Sequence, residues 1–247
     1  MGDNQKSLND LLKWSIQNST SSTATAATAQ PTGDASTQED PTGAVAAAAA
    51  RGLNPESLKA LFGGPSDADL MLAAVAHIRS TDPEVTLESK LTAFDNLEQL
   101  IESLDNANLL SKLGLWTPLF ELLAHDESEI RLMACWVVGT AVQNNEPSQE
   151  RLVALGGVER LAAMALGDRL TAEGARDESK AEKEANDVRR KAVYALSSAC
   201  RNYQPGMDVL TSELSKRGEG KGDKIDATDM EAVNVVIDAL RAQAQSA

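Results

Sequence analysis

The residues of this chain that could carry chemistry are few and scattered. His77 and His125 are the two histidines in 247 residues, whereas zinc and similar ions want three or four Cys, His or carboxylate ligands at short regular spacing. Neither histidine has such neighbours, so both are expected to serve structure or face solvent. Cys135 and Cys200 each fall inside an apolar helical pattern. A chain of this size needs no covalent staple, which predicts reduced, buried thiols. Gly218-Glu219-Gly220-Lys221-Gly222 has glycines and a lysine, but a phosphate loop requires G-x-x-x-x-G-K-[ST] after a strand, so a flexible loop is the better assignment. No Gly-x-Ser-x-Gly elbow occurs, and no nucleophile, base and oxyanion donor form a set. The expectation is no enzyme, no cofactor and no metal.

What remains is the chemistry of recognition. Trp136 and Tyr194 hold matching positions on two long amphipathic segments, off their apolar stripes. With Thr140 and Gln143 beside the first and Ser198 and Arg201 beside the second, they form a candidate partner-binding groove. The competing assignment packs both rings partly into the neighbouring unit, and both stay open. Asn108, Asn144 and Arg189 join the candidate set, although asparagines at helix ends also terminate helices. A separate candidate is Leu11-Leu12-Lys13-Trp14-Ser15-Ile16, in which Leu11, Leu12 and Ile16 share one helix face. Trp14 lies within the same stretch, and a detachable peptide for a partner is favoured over a cap on the chain's own body.

Repetition shows which elements must position these residues. Leu113-Gly114-Leu115-Trp116 and Leu155-Gly156-Gly157-Val158 open two short apolar helices, their glycines 42 positions apart at 114 and 156. Longer helices are predicted after each, over Ile130–Val142 and Val188–Cys200. A period near forty in an all-helical pattern marks armadillo or HEAT units, none able to bury its apolar face alone. The fold class is therefore all-α, an armadillo-like α-solenoid with a disordered N-terminal tether. Arg131 and Arg189 correspond across the repeats at the longer spacing of 58, because a charged stretch of mixed sign intervenes between Leu166 and Asp187. That insertion is expected to be a solvated loop or a polar helix extension. Ser66, Asp126 with Glu129, and Thr228 with Glu231 are the predicted helix caps.

The chain divides into a short amphipathic helix at 1–17, a disordered linker at 18–51 and a helical cap at 52–84. Armadillo repeats follow at 85–204 with the insertion at 167–187, then a C-terminal cap and tail at 205–247. The linker is mostly Ser, Thr, Ala, Pro and Gly and cannot bury enough apolar surface to order itself. Aromatics are only 3% of the chain against 42% apolar residues overall, so the core must be aliphatic and Ala-rich. A formal net charge of −14 gains nothing from counterion release, which argues against nucleic acid and against anionic membrane. No apolar run is long enough to span a bilayer and no secretory core follows Met1, so a cytoplasmic monomer is expected.

Taken in order, these segments resemble one family: the fungal Fes-type and animal HspBP-type armadillo nucleotide exchange factors of 70-kDa heat-shock chaperones. The resemblance rests on Leu11-Leu-Lys-Trp-Ser-Ile-Gln-Asn-Ser19, Leu61-Phe-Gly-Gly64, Lys90-Leu-Thr-Ala-Phe-Asp-Asn-Leu-Glu98 and Asn106-Ala-Asn108. It continues through Leu113-Gly-Leu-Trp116, Gly139-Thr-Ala-Val-Gln-Asn-Asn145 and Lys191-Ala-Val-Tyr-Ala-Leu-Ser-Ser198. It implies a body that grips the chaperone's nucleotide-binding domain and favours its open form, so that ADP leaves. It further implies that Ala107 faces the chaperone and that the opening segment frees substrate from the chaperone's peptide site. Members with four full repeats continue after the position of Asn202 with another unit, which a shorter tail replaces here. The alternative from another class is a peptide-binding adaptor of the transport-receptor kind. That class places Asn four residues after Trp, where this chain has Thr140 after Trp136.

Overall fold

Ser66 closes the first of the described helices on itself. Its Oγ accepts the Asp69 N–H at 3.2 Å while the Asp69 carboxylate accepts the Ser66 N–H at 3.2 Å. This reciprocal box satisfies two donors that a helix start leaves unpaired and opens α1, Asp67–Ile78. The computed structural model describes residues 65–220 and 224–245. Nine further helices follow among the described residues: α2 Leu87–Ile101, α3 Leu104–Lys112, α4 Trp116–Leu122, α5 Ser128–Ala141 and α6 Glu146–Ala154. The remainder are α7 Gly157–Ala165, α8 Asn186–Cys200, α9 Gln204–Lys216 and α10 Met230–Gln245. Among the described residues extended pairing is limited to one isolated bridge, Leu170 with Arg176. The predicted elements at 1–17 and 18–51, and the part of the 52–84 cap before Pro65, lie outside the described residues.

The long helices α2, α5, α8 and α10 pack side by side in that order, and the shorter α3, α6 and α9 form a second row. This succession is an armadillo-like helical solenoid. Its core is the predicted aliphatic stripe: Ile130, Ala134, Val137, Val138 and Ala141 of α5 and Val188, Ala192, Leu196 and Ala199 of α8 are fully buried. The small residues permit close approach. A Cβ added to Gly139 would stand 2.6 Å from Tyr194 Cε1 and 3.1 Å from Ala195 Cα, so α5 and α8 meet at a distance that only glycine allows there.

The repeated signals have repeated backbone roles. Gly114 and Gly156 adopt φ of 68° and 71° where the first helix of each unit turns into the second, a left-handed conformation that costs a Cβ-bearing residue about 1–2 kcal/mol. Asn144 and Asn202 adopt φ of 51° and 56° just past α5 and α8, and so end both helices. Trp116 fills the junction its motif introduces, 2% exposed, with Nε1 donating to Ser111 Oγ at 3.1 Å.

Three expectations need correction. The insertion is not solvated throughout. Arg131 donates through Nε and Nη2 to both Glu184 carboxylate oxygens at 2.7 Å, with side-chain exposures of 3% and 0%. Glu184 N–H donates to the Gly167 carbonyl at 2.9 Å, and Leu170 is buried. The carboxylate is drawn inward because Arg131 is buried and a buried cation demands a partner. The other two concern caps. Asp126 takes Lys180 Nζ at 2.9 Å instead of capping α5, and Asp229 rather than Thr228 accepts the first N–H groups of α10.

Candidate functional site

Each long helix turns one ridge away from the core. Helical spacing puts Trp136 and Thr140 on the ridge of α5, with Gln143 just past its end, and Lys191, Tyr194 and Ser198 on that of α8, with Arg201 at its C-cap. Three adjoining depressions follow these ridges. One of about 500 Å³ lies between Glu98, Ile101, Glu102 and Leu104 on one side and Thr140, Gln143, Asn144 and Tyr194 on the other. The next, about 300 Å³, is bounded by Gln143, Asn144, Tyr194, Ser197, Ser198, Arg201 and Arg241. The last, about 420 Å³, lies among Leu132, Asp187, Arg190, Lys191, Tyr194, Arg241 and Gln245. Tyr194 borders all three, so they form one interrupted groove across α2, α5, α8 and α10.

Polar contacts fix its walls. Thr140 Oγ1 donates to Glu98 Oε1 at 2.7 Å, which ties α5 to α2. Tyr194 Oη stands 3.4 Å from Gln143 Oε1. Arg201 Nη2 donates to Asn234 Oδ1 at 2.6 Å and its Nε to Ser197 Oγ at 3.0 Å, which joins α8 to α10. Lys191 Nζ lies 4.2 Å from the Trp136 ring centroid and 5.5 Å from that of Tyr194. One ammonium thus holds both rings by their faces. Burial lowers the Lys191 pKa below the ordinary lysine value, while the Glu98 charge acts to raise it.

Seven of the sequence-predicted residues come together here: Trp136, Thr140, Gln143, Asn144, Tyr194, Ser198 and Arg201. Both Trp136 and Tyr194 are half-buried, and the Tyr194 ring packs against Gly139 of the neighbouring helix. Arg189 is corrected from a surface residue to an interior one, 3% exposed. Its Nε donates to the Ala165 carbonyl at 3.1 Å and its Nη2 to the Gln243 carbonyl at 2.8 Å. It caps the end of α7 as Arg131 caps the chain after α4 through the His125 and Asp126 carbonyls, each at 2.7 Å. Ala107 is likewise corrected: at 1% exposure its methyl belongs to the core, because α3 turns that face toward its neighbours. Asn108 is half-buried, and its Oδ1 has no hydrogen-bond partner among the described residues. Leu11, Leu12, Trp14 and Ile16 lie outside the described residues.

Sequence reasoning missed Glu98, Glu102, Lys191 and Arg241 as groove residues. Lys191 carried a signal, one turn before Tyr194 on the same ridge. The other candidate chemistries find ordinary partners. His77 Nε2 lies 3.0 Å from Ser89 Oγ, and His125 Nδ1 accepts the Glu127 N–H at 3.0 Å. Burial, with the nearby Lys90 charge, lowers the His125 pKa. Burial pushes both thiols up, that of Cys200 to about 12. Among the described residues no three His, Cys, Asp or Glu side chains converge as a metal site. No helix among them is long and apolar enough to cross a membrane.

Comparison with known proteins gives the chain a family. The family model described as "Nucleotide exchange factor Fes1" matches residues 8–110. A Neurospora crassa protein named "Hsp70 nucleotide exchange factor fes-1" is 47% identical over 258 aligned positions, which span 98% of this chain and 99% of that one. The chain belongs to the Fes1 nucleotide exchange factor family. Proteins named "Hsp70 nucleotide exchange factor FES1" from Gibberella zeae and Coccidioides immitis are 52% and 42% identical over 235 positions, or 95% of this chain in each case. They are spanned over 95% and 96% of their own lengths. The Fes1 model's match runs through α1, α2 and most of α3, and the relatives carry the likeness on through the groove helices.

Proposed function

We propose that this chain is a nucleotide exchange factor for an Hsp70 chaperone. It binds the chaperone's nucleotide-binding domain through the groove across α2, α5, α8 and α10, favours the open form of that domain, and so speeds the departure of ADP. The observation that carries this is the near end-to-end match to relatives named Hsp70 nucleotide exchange factors. The mechanism is differential binding. The factor accelerates release only by the free energy with which it prefers the open state, about 1.4 kcal/mol for each tenfold shift in that equilibrium. A stack whose helices are pinned by Thr140–Glu98, Arg201–Asn234 and the buried Arg131–Glu184 pair resists being deformed by its partner, so the partner yields instead. The chain supplies no group to ATP chemistry, which stays with the chaperone, and it acts in the cytoplasm as a monomer.

The opening segment, with Leu11, Leu12, Trp14 and Ile16, competes for the chaperone's peptide site and frees bound substrate. A transport-type peptide adaptor fits less well, because the Lys191 ammonium already covers the Trp136 face that a cationic peptide would need. Stopped-flow release of labelled ADP from a cytosolic Hsp70 tests the main proposal. Acceleration by the full chain is expected, with a loss of at least about tenfold in Tyr194→Ala. No acceleration at saturating protein would reject it. Deleting residues 1–50 is expected to spare ADP release and slow the release of a bound peptide.

A further inference from the structure

We propose that the groove is charge-polarised from α2 to α10, and that this polarity decides which way round the chaperone docks; the inference rests on the exchange-factor function proposed above. At the α2 end the walls carry Glu98 and Glu102, and no cation is among the lining residues. In the middle, beside Thr140, Gln143 and Tyr194, the Lys191 ammonium lies over the Trp136 ring and is offset by the Glu98 charge. At the α8–α10 end stand Arg190, Arg201 and Arg241. Two carboxylates face them: Asp187 at the start of α8, and Asp238, which pairs with Arg241 at 2.7 Å. Three cations against two anions leave that end positive, on a chain whose net charge is −14.

Separation decides whether a partner feels one averaged charge or two. Packed helices lie about 8–10 Å apart, so two steps from α2 to α8 span roughly 16–20 Å. The screening length at physiological salt is about 8 Å. Lys191 reaches over Trp136 to where the Glu98 charge acts on it, but Glu102 and the arginines of α8 and α10 are screened from each other, and each meets whatever charge the partner sets against it. A partner of one sign, such as a nucleic acid or an anionic bilayer, is attracted at one end and repelled at the other. What fits is a folded protein surface with carboxylates positioned for α8 and α10 and cations positioned for α2. Docked in reverse, that surface would set like charges together at both ends, which is how charge patterns exclude wrong orientations.

The test reverses each wall separately at exposed positions, in the full chain. Arg190→Glu with Arg241→Glu inverts the basic end, and Glu102→Lys inverts the acidic end. Binding to an Hsp70 nucleotide-binding domain is measured at low and high salt, with ADP release followed in parallel. Each variant is expected to raise Kd on the order of tenfold at low salt, with the difference shrinking at high salt. Neutral Arg190→Gln with Arg241→Gln should fall between wild type and reversal, and serves where the reversed pair melts early. Kd within twofold of wild type for both walls would overturn the inference while leaving the proposed function standing, provided wild type binds and speeds ADP release. Loss at one wall alone would reduce the groove to a patch of single sign and also overturn it. Failure of wild type to bind or to accelerate release removes the exchange-factor function itself, and this inference with it.

Discussion

Removing the Glu184 carboxylate should unsettle the solenoid far more than its place in a charged insertion suggests. Arg131 is held by four short bonds: two to Glu184 and one each to the His125 and Asp126 carbonyls, all at 2.7 Å. With side-chain exposures of 3% and 0%, neither ion is reached by water. Glu184→Ala therefore leaves a buried guanidinium without its counter-charge, which is expected to cost about 3–5 kcal/mol. For a body of this size each kcal/mol lowers Tm by about 2–4 °C, so the melting point should fall by roughly 6–20 °C. The double variant Arg131→Met with Glu184→Leu removes the fully buried charge, leaving only the less buried Arg169, 3.8 Å from Glu184, without that partner, but it also deprives the two carbonyls of their donors, at about 1–3 kcal/mol. It should be less damaging than Glu184→Ala alone. Urea unfolding followed by circular dichroism measures both. A cost below about 1 kcal/mol for Glu184→Ala, or a double variant worse than the single one, would refute the assignment of this pair as a buried clamp.

Other expectations follow from single sites. Ala107→Arg should act through folding, since forcing a charged side chain into a site 1% exposed is expected to cost more than about 2 kcal/mol; an unchanged Tm would contradict the buried placement. At Asn144, held at φ 51°, replacement by Ala should cost about 1 kcal/mol and replacement by Gly nothing, and equal stabilities would show that the backbone turn is not what selects Asn. Both thiols should resist alkylation at pH 8 until denaturant is added, because with Cys200 near pKa 12 only about one molecule in 10⁴ carries its thiolate. Rapid labelling of native protein would count against their burial. His125 has a lowered folded-state pKa, so its contribution to stability is present above its unfolded pKa and is lost as pH falls through the folded value. The urea midpoint of His125→Gln should accordingly depend less on pH than that of wild type between pH 8 and 5, and parallel profiles would disprove the contribution.

The long helices were legible because their information is local. The apolar stripe from Ile130 to Ala141 recurs every three or four residues, and Gly114 and Gly156 mark two turns that need left-handed backbone. The groove was half legible: the same periodicity that buries one ridge exposes another, and it placed Trp136, Thr140, Tyr194 and Arg201 together. What escaped was information carried between distant residues. Arg131 and Glu184 stand 53 positions apart, and nothing near either one says that the other will bury it. Arg189 misled for the same reason, because a charged side chain reads as surface until the carbonyls of Ala165 and Gln243 are seen to enclose it. Ala107 misled differently: the family likeness implied a contact surface, whereas an alanine in that register of α3 packs inward.

The clamp on the insertion also separates two things that usually vary together in repeat proteins. Gly167 and Glu184 are joined at the base of the excursion, so α7 and α8 keep their spacing whatever the length of chain between them. The exposed stretch around Glu178 to Lys183 is then a place where residues can be added without shifting any helix. A fluorophore or a short tag spliced there would ride on a fixed base and report on a docked chaperone without occupying the surface that holds it.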